Sequence, residues 1–465
     1  MKKQKKQIKN KAAFTLIEAL VVLFIFALIT STFYSVFSLG SKYIIESKNR
    51  LAAVQVANEK MEIVRNLKYD NVGIIGGIPN GVIPENEDLT LNTRSFHIRT
   101  FVRYEDDVFD GVYPADPIPN DYKTVKVTIS WPGPNGVPED ISLTARFVPP
   151  GLEVANPGEG VLAINVLSNI ENPGIGIPQS SVHVVNNAVS PAVNFTAQTD
   201  DTGNLIFPGA KESTGGYELT VTKSGYETIG TIDGSTVDYN HTDVHASVVQ
   251  GAVNLKTIYQ DKLASLEIRS INQLEEAIPS LSFHVKGGRV LGIDNANPSS
   301  PENVYNLKLD AATNASGEKD FTDKSPGQYF LSDIGAVAGH TLVGVGSITE
   351  FDPVGKIYTL SLTPGETKTV EVKFADNNAD ALRVTVLKDA DNLPLVDATV
   401  KLTNGSGYSA EIVTLADGVA FYPTGSEPLL PGEYNIEIKA VGFQDYGGTV
   451  TVDKLTMAEI KLLAN

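Results

Sequence analysis

The chain has 465 residues, about three domains at ~150 residues each, so a single compact fold is not expected. It contains no cysteine, which excludes disulfides, cysteine-ligated zinc and thiol catalysis. The formal net charge of −18 disfavours nucleic-acid binding by the bulk of the chain, because an acidic surface repels phosphates. With 42% hydrophobic residues, 40 Gly and 25 Pro, folded modules rich in strands and turns are expected.

The N-terminus combines a basic leader with a long apolar stretch. Six lysines and no acidic residue lie in residues 1–13, and the apolar stretch begins at Phe14. From Ala19 to Ser41 there is no charge, and as a helix this stretch is ~35 Å long, enough to cross a ~30 Å hydrocarbon layer. The small pair Ala12-Ala13 precedes the apolar stretch, whereas a secretory signal has its small residues after it. The pattern therefore predicts a retained membrane helix.

Glu18 is the one acidic residue at the entry to this helix. An ionisable group at membrane depth is costly, so it usually has a partner and a role. The alternative is an interfacial Glu near the lipid headgroups.

The segment Ala13-Phe14-Thr15-Leu16-Ile17-Glu18 resembles the type IV prepilin processing motif. The resemblance implies that a prepilin peptidase cuts after Ala13 and methylates Phe14, so that 1–13 is a leader peptide. It also implies that the Glu18 carboxylate pairs with the N-terminal amine of a neighbouring pilin-like subunit. Ala13 departs from the Gly that usually precedes the cut. Two opposite charges that neutralise each other lower the cost of both in lipid.

The helix is predicted to continue over 14–67, as a transmembrane and assembly helix ~80 Å long. No Pro or Gly lies between Ser41 and Asn66. Apolar residues recur beyond the membrane at helical spacing, which predicts a packed face formed by Ile44, Ile45, Leu51, Val54, Met61 and Val64. A rod of this length suits side-by-side packing in a filament, and the alternative is a simple anchor with a stalk.

Residues 68–152 are predicted to form a pilin-like head of α+β type. Alternating stretches predict strands around 96–104, 124–131 and 141–147, with the helix covering one face of their sheet. The acidic residues Glu105, Asp106, Asp107 and Asp110 suit either a solvated hairpin loop, which we favour, or a calcium site.

The rest of the chain repeats itself as three predicted modules, over 160–258, 263–376 and 379–465. Each contains a Gly-x-Tyr before a strand, with the tyrosines at Tyr217, Tyr329 and Tyr434. Each also has a proline before an alternating strand, at Pro178, Pro279 and Pro394. The first and third have an Asp-Gly turn, whereas the second has no clear counterpart and an insertion-like stretch from Gly287 to Ala311. We expect an antiparallel β-sandwich of about seven short strands in each.

This arrangement resembles the carboxypeptidase regulatory-like (transthyretin-like) β-sandwich family. The resemblance implies modules that are not catalytic and that act as spacers or as contacts for carbohydrate or protein.

No catalytic, cofactor or metal site is predicted. His241 and His245, as an i, i+4 pair, would face the same side of a strand, but no Glu accompanies them, and we favour surface histidines. The stretch from Lys388 to Asn392 lacks the downstream Glu of a calcium loop and is expected to be a turn.

The sequence thus predicts a multidomain protein with a long membrane α-helix, an α+β head and three all-β sandwiches. The preferred function is a minor pilin or pseudopilin of a type IV pilus-like or type II secretion-like filament, with the C-terminal bulk outside the cytoplasm. The alternative is a membrane-anchored surface protein that contacts glycans or proteins and does not assemble. An enzyme is not expected.

Overall fold

The computed structural model describes residues 16–91, 93–106, 121–133, 136–150, 158–423 and 429–465. The chain divides into two compact units, Met1–Val154 and Ala155–Asn465.

The first unit is one long helix with a four-stranded antiparallel sheet. The helix α1 spans Leu16–Arg65, and a short 3-10 helix, Tyr69–Asn71, follows it. The sheet has the order β1-β2-β3-β4, with strands Asn86–Leu91, Arg94–Glu105, Tyr122–Pro132 and Pro138–Phe147. The three predicted strands are present, and β1 is a fourth that the sequence did not indicate, since its pattern is polar.

The C-terminal half of α1 covers this sheet, and the predicted face is right for Met61 and Val64 but not for its first three residues. The buried apolar residues of the helix are Ala53, Val56, Ala57, Met61 and Val64, in one core with residues of β2 and β3. The predicted Ile44, Ile45 and Leu51 are exposed instead. Ala53 and Ala57 are fully buried on this face, although the pattern of large apolar residues did not include them.

The second unit consists of three β-sandwiches in succession. Sandwich 1 contains β5–β13: Glu159–Leu167, Ser181–Asn186, Val193–Gln198, Asn204–Lys211, Ser213–Thr222, Ile229–Gly230, Asn240–His241, Ala246–Val248 and Val253–Tyr259, with a 3-10 turn at Gly234–Thr236. Sandwich 2 contains β14–β22: Ala264–Ile271, Ser282–Asp294, Glu302–Ala312, Glu318–Lys324, Gly327–Ser332, His340–Val345, Glu350–Asp352, Ile357–Leu362 and Thr367–Asp376. Sandwich 3 contains β23–β29: Ala381–Lys388, Thr399–Thr403, Ser409–Val413, Val419–Tyr422, Gly432–Lys439, Tyr446–Val452 and Leu455–Leu462.

All three sandwiches share one topology. In one sheet, the opening strand (β5, β14 or β23) lies beside the closing strand (β13, β22 or β29) and beside an inner strand (β8, β17 or β26). In the other sheet, the second strand (β6, β15 or β24) pairs with the strand after it and with the Gly-x-Tyr strand (β9, β18 or β27). The fold class predicted from the sequence is confirmed.

One detail of the predicted sandwiches is wrong. The opening and closing strands pair in parallel in every sandwich, so the sheets are only mostly antiparallel. Alternation along a strand reports which face is buried but not the direction of its neighbour. The parallel pairing was therefore invisible in the pattern.

The Gly-x-Tyr repeat marks a buried tyrosine with a fixed hydrogen bond. Tyr217, Tyr329 and Tyr434 are all buried. Their hydroxyls donate to backbone carbonyls just upstream, at Lys211 (2.7 Å), Ser325 (2.6 Å) and Leu430 (2.9 Å). A buried phenol needs such a partner, which explains why the same residue type recurs.

A buried threonine is a second repeated feature, and the sequence analysis missed it. Thr414 accepts a hydrogen bond from the Ala398 N–H (3.0 Å) and donates to the Leu395 carbonyl (2.6 Å). Thr199 and Thr313 make the equivalent pair of bonds in sandwiches 1 and 2. Each therefore ties the start of the second strand to the strand after it.

Four residues after each threonine comes a turn glycine, at Gly203, Gly317 or Gly418. All three have positive φ (80°, 72° and 68°). A Cβ there would lie 2.5–2.6 Å from a carbonyl oxygen of the opening strand, so only glycine fits. The second sandwich therefore has this turn as well. The sequence analysis did not find it, because Asn314 stands at the start of the turn in place of an Asp. Thr-x-x-x-Gly is the sequence signal that all three share.

The predicted proline before the second strand is equivalent in only two of the three sandwiches. Ile177 and Ile278, each directly before its proline, donate their N–H to the opening strand, whereas in sandwich 3 the equivalent donor is Leu395, directly after Pro394. Pro394 is thus not the counterpart of Pro178 and Pro279.

The insertion-like stretch of the second module is a long hairpin. It forms most of β15 and β16, which pair from Ser282–Ala312 out to Asp294–Glu302. Its outer part also pairs with β11 of sandwich 1, through Asn240–Ile293 and His241–Gly292. The insertion therefore joins sandwich 2 to sandwich 1.

We expect Thr414→Val to destabilise sandwich 3 by about 2–4 kcal/mol, because valine keeps the volume but leaves a buried N–H and a buried carbonyl unpaired. Differential scanning calorimetry of the full chain should show one transition shifted down by several degrees. Thr449→Val, on the exposed face of β28, is the matched control. Equal shifts in the two variants would contradict the role given to the buried hydroxyl.

Candidate functional site

The first half of α1 is apolar and uncovered. Every large apolar side chain described from Leu16 to Ile45 is exposed, from 43% at Ile45 to 82% at Leu16. The first buried helix residue is Asn49, and packing on the sheet follows from there. A continuous apolar surface of this extent indicates a site that lipid or protein covers.

Three hydroxyl side chains within this segment are paired by the helix itself. The hydroxyls of Thr30, Thr32 and Ser35 donate to the carbonyls four residues earlier, at 2.8, 2.9 and 3.0 Å. No water is needed to pair them, which suits a hydrocarbon environment. Within the described residues, the helix is long and apolar enough to cross a membrane, by length and composition.

Glu46 and Trp131 join the helix to the sheet just beyond the apolar segment. The indole Nε1–H of Trp131 donates to Glu46 Oε1 at 2.9 Å. The ring is 4% exposed and packs near Phe96, with 6.2 Å between ring centroids. A charge-assisted bond at this place fixes the helix where its free half ends.

Lys123 fixes the segment that follows the helix. Its ammonium group donates to the carbonyls of Tyr69 (3.0 Å) and Val72 (2.8 Å) and lies 4.5 Å from the Tyr69 ring centroid. Burial lowers the pKa of Lys123, and the nearby charge of Asp70 partly opposes that shift. These contacts could not be predicted from the sequence, because they join residues about fifty positions apart.

The predicted processing residues Ala13 and Phe14 lie outside the described residues. The backbone of Glu18 lies in the first turn of α1, and its side chain is outside the description. Cleavage, methylation and pairing at these residues remain predictions.

The weaker candidate sites do not form the clusters that they would need. His241 ends β11 and His245 lies beyond that strand, so the two do not share a face of one strand as expected. His245 Nδ1 lies 2.9 Å from the Thr231 hydroxyl, and His241 Nδ1 accepts from the Asp243 N–H.

Asp391 caps a hairpin turn by accepting from the Leu393 N–H. Across the described ranges, no group of three or more His, Asp or Glu side chains is arranged to hold a metal ion. Asp107 and Asp110 of the acidic loop fall outside those ranges.

Comparison with known proteins finds a family match at the N-terminus. A family model described as the prokaryotic N-terminal methylation motif matches residues 8–34. The match covers the end of the basic leader, the predicted cleavage position and the first part of the exposed helix. No curated protein sequence matches the chain.

Similarity to solved structures is weak. The Bacillus anthracis TIE protein is 14% identical, with 81% of this chain and 73% of that chain covered, at a TM-score of 0.21. A streptococcal ancillary pilin is 12% identical, with 66% and 99% covered, at a TM-score of 0.20. GBS52, the minor pilin of Streptococcus agalactiae, is 14% identical, with 46% and 95% covered, at a TM-score of 0.20. TM-scores this low do not support an argument about fold or function, so the methylation motif is what the comparisons contribute.

We expect Glu46→Ala to loosen the helix at its junction with the sheet, because the buried indole N–H loses its acceptor. The cost is about 1–3 kcal/mol in the unfolding free energy of the first unit. Trp131 is the single tryptophan of the chain, so acrylamide quenching of its fluorescence reports on this contact alone. Glu46→Gln keeps an acceptor and should behave nearly as wild type, and Glu59→Ala, at an exposed position on α1, is the control. Unchanged quenching in Glu46→Ala would contradict the contact.

Proposed function

We propose that the chain is a minor pilin or pseudopilin of a type IV pilus-like or type II secretion-like filament. A prepilin peptidase removes residues 1–13 and methylates Phe14. The helix then anchors the subunit in the membrane and packs against other subunits, and the modules 160–258, 263–376 and 379–465 extend outside the cytoplasm as spacers or adhesive units. The observation that supports this most strongly is the apolar half of α1, which carries the methylation motif at its start and has no cover from its own sheet.

The exposed half of the helix suits lipid before assembly and neighbouring helices after it. Apolar surface is worth roughly 25 cal/mol per Å² when it is removed from water, so the segment is stable in lipid before assembly. In a filament the same surface is buried against neighbouring helices. Glu18 supplies the reason to assemble, since its carboxylate in lipid is neutralised when the N-terminal amine of another subunit approaches.

The junctions between sandwiches favour a spacer role. Arg289 of sandwich 2 donates to the Tyr259 carbonyl (2.9 Å) and to Asp243 (2.8 Å) of sandwich 1. Arg383 of sandwich 3 donates to the Val343 carbonyl (3.0 Å) of sandwich 2. Charge-assisted hydrogen bonds at both junctions restrict the sandwiches relative to one another, as a stiff extension requires.

Processing is tested by co-expression with a prepilin peptidase. We expect a mature N-terminus at Phe14 carrying one methyl group, identified by mass spectrometry of the purified chain. Ala13→Gly should raise the processed fraction, because Gly is the residue that usually precedes the cut, and Ala13→Leu should abolish processing. Ala12→Gly is the control. A mature N-terminus elsewhere in a host that has the peptidase would rule the proposal out.

Assembly is tested with Glu18→Ala. Loss of one partner of a buried ion pair costs about 3–5 kcal/mol, so incorporation into filaments should fall more than a hundredfold while membrane insertion persists. Immunoblots of the sheared filament fraction and of the membrane fraction measure the two separately. Ser35→Ala, on the same exposed segment, is the control. If wild type never enters the sheared fraction, or Glu18→Ala enters it equally, the helix is an anchor and the chain is a surface binding protein.

A further inference from the structure

Three buried carboxylates meet one guanidinium at the junction between sandwich 1 and sandwich 2. Glu227, Asp243 and Asp261 are 4%, 6% and 3% exposed. Arg289, on the β15–β16 hairpin of sandwich 2, lies 2.8 Å from an oxygen of Asp243 and 3.5 Å from an oxygen of Glu227. Buried charges are stable only when opposite charges and hydrogen bonds compensate them, so this junction carries an excess of negative charge.

Asp243 and Asp261 are the better compensated of the three carboxylates. Asp243 accepts a charge-assisted hydrogen bond from Arg289, and the positive charge of Lys256 on β13 also attracts it. Asp261 Oδ1 accepts three hydrogen bonds, at 3.1–3.2 Å, from the N–H groups of Asn169 and Ile170 and from the hydroxyl of Ser168. Opposite charges and hydrogen bonds of this kind stabilise the ionised form of a carboxyl group.

Glu227 has weaker compensation. Its Oε2 accepts from the Asp261 N–H at 3.1 Å, and the Ser325 hydroxyl donates to the carboxylate. The Arg289 guanidinium lies too far away, at 3.5 Å, for a strong hydrogen bond. Burial raises the pKa of Glu227, and the effects of Ser325 and Arg289 oppose that shift only in part, while the negative charge of Asp261 adds to it. Glu227 is therefore the group of this junction that protonation relieves.

The burial of Glu227 depends on contact between the two sandwiches. Glu227 follows β9 of sandwich 1, whereas Arg289 and Ser325 belong to sandwich 2. Asn306 Nδ2 donates to Ser325 Oγ at 2.6 Å and so holds that hydroxyl in place. Tyr329 of β18 is the other titratable group near Glu227. Burial raises its pKa, and the charge of Glu227 adds to the shift, so the phenol stays neutral.

Ionisation of Glu227 therefore favours separation of the sandwiches. When they separate, water reaches the carboxylate and its pKa returns towards the ordinary value of a glutamate. The contribution of Glu227 to the closed junction is fully present below that ordinary pKa, and it is lost as the pH rises through the higher pKa of the closed junction.

We propose that this junction is a pH-dependent hinge, which is closed while Glu227 carries a proton and opens more readily once Glu227 is ionised. The hinge makes the stiffness of the spacer depend on the pH of the medium. It is a property of sandwiches 1 and 2 alone, so it stands whether or not the chain assembles into a filament.

The test measures a distance across the junction in the full chain, held in detergent. Because the chain contains no cysteine, spin labels can be attached at Thr196→Cys on β7 and Thr322→Cys on β17, both at exposed positions. Double electron–electron resonance then gives the distribution of distances between the labels. The measurement runs from about pH 5 to about pH 9, which covers the raised pKa range of buried glutamates. We expect the distribution to broaden as the pH rises, with the open-to-closed ratio rising about tenfold if the pKa is one unit higher in the closed junction than in the open one.

Glu227→Gln keeps the shape of the side chain and removes its charge, so its distance distribution should stay narrow at every pH. Glu218→Gln, which removes an exposed carboxylate from the same sandwich, is the matched control and should broaden as wild type does. A wild-type distribution that does not change over this pH range would overturn the proposal. Equal broadening in wild type and in Glu227→Gln would also overturn it. Neither result bears on processing at Phe14 or on assembly through Glu18.

Discussion

The length of the helix relative to its sheet is the constraint on which the first unit depends. The 50 residues of α1 span ~75 Å, whereas an 11-residue strand such as β3 spans only ~36 Å. The sheet can therefore cover about half of the helix, and the sequence places its charges and small residues in that half. The other half keeps large apolar side chains, so the folded unit is incomplete in water and needs a second environment. Lipid or another protein surface could supply that environment.

Apart from β1, the elements of the first unit could be predicted from the sequence, but their contacts could not. Alternation at Val125, Val127 and Ile129 identified β3, because each alternate residue is buried. The packed face of α1 was predicted from large residues, which was right for Met61 and Val64 but left out the buried Ala53 and Ala57. Hydropathy counts an alanine as weakly apolar and carries no information on how near two backbones come. The bond between Glu46 and Trp131 joins distant parts of the chain and has no local signal.

In the second unit, too, some repeated features could be read from the sequence and others could not. Gly-x-Tyr was recognisable because a large aromatic residue stands out in any strand. The buried threonines were overlooked since a polar residue at the end of a strand resembles an ordinary turn, although Thr414 is as buried as the core around it. The junction residues Arg289 and Glu227 look like surface charges in the sequence. Only the hairpin β15–β16, which appeared as an unexplained insertion, brings them into contact.

The parallel pairing of opening and closing strands determines how each sandwich responds to mechanical load. The chain enters each sandwich at one end of this pair and leaves it at the other, and in sandwich 3 the pair runs in register from Ala381–Leu455 to Lys388–Leu462. Tension along the chain therefore acts in shear, parallel to the strands, and has to break the hydrogen bonds of the ladder together rather than one after another. Forced unfolding is governed by the barrier to that rupture and not by equilibrium stability. Three such ladders in series would let the second unit transmit a pull without extending.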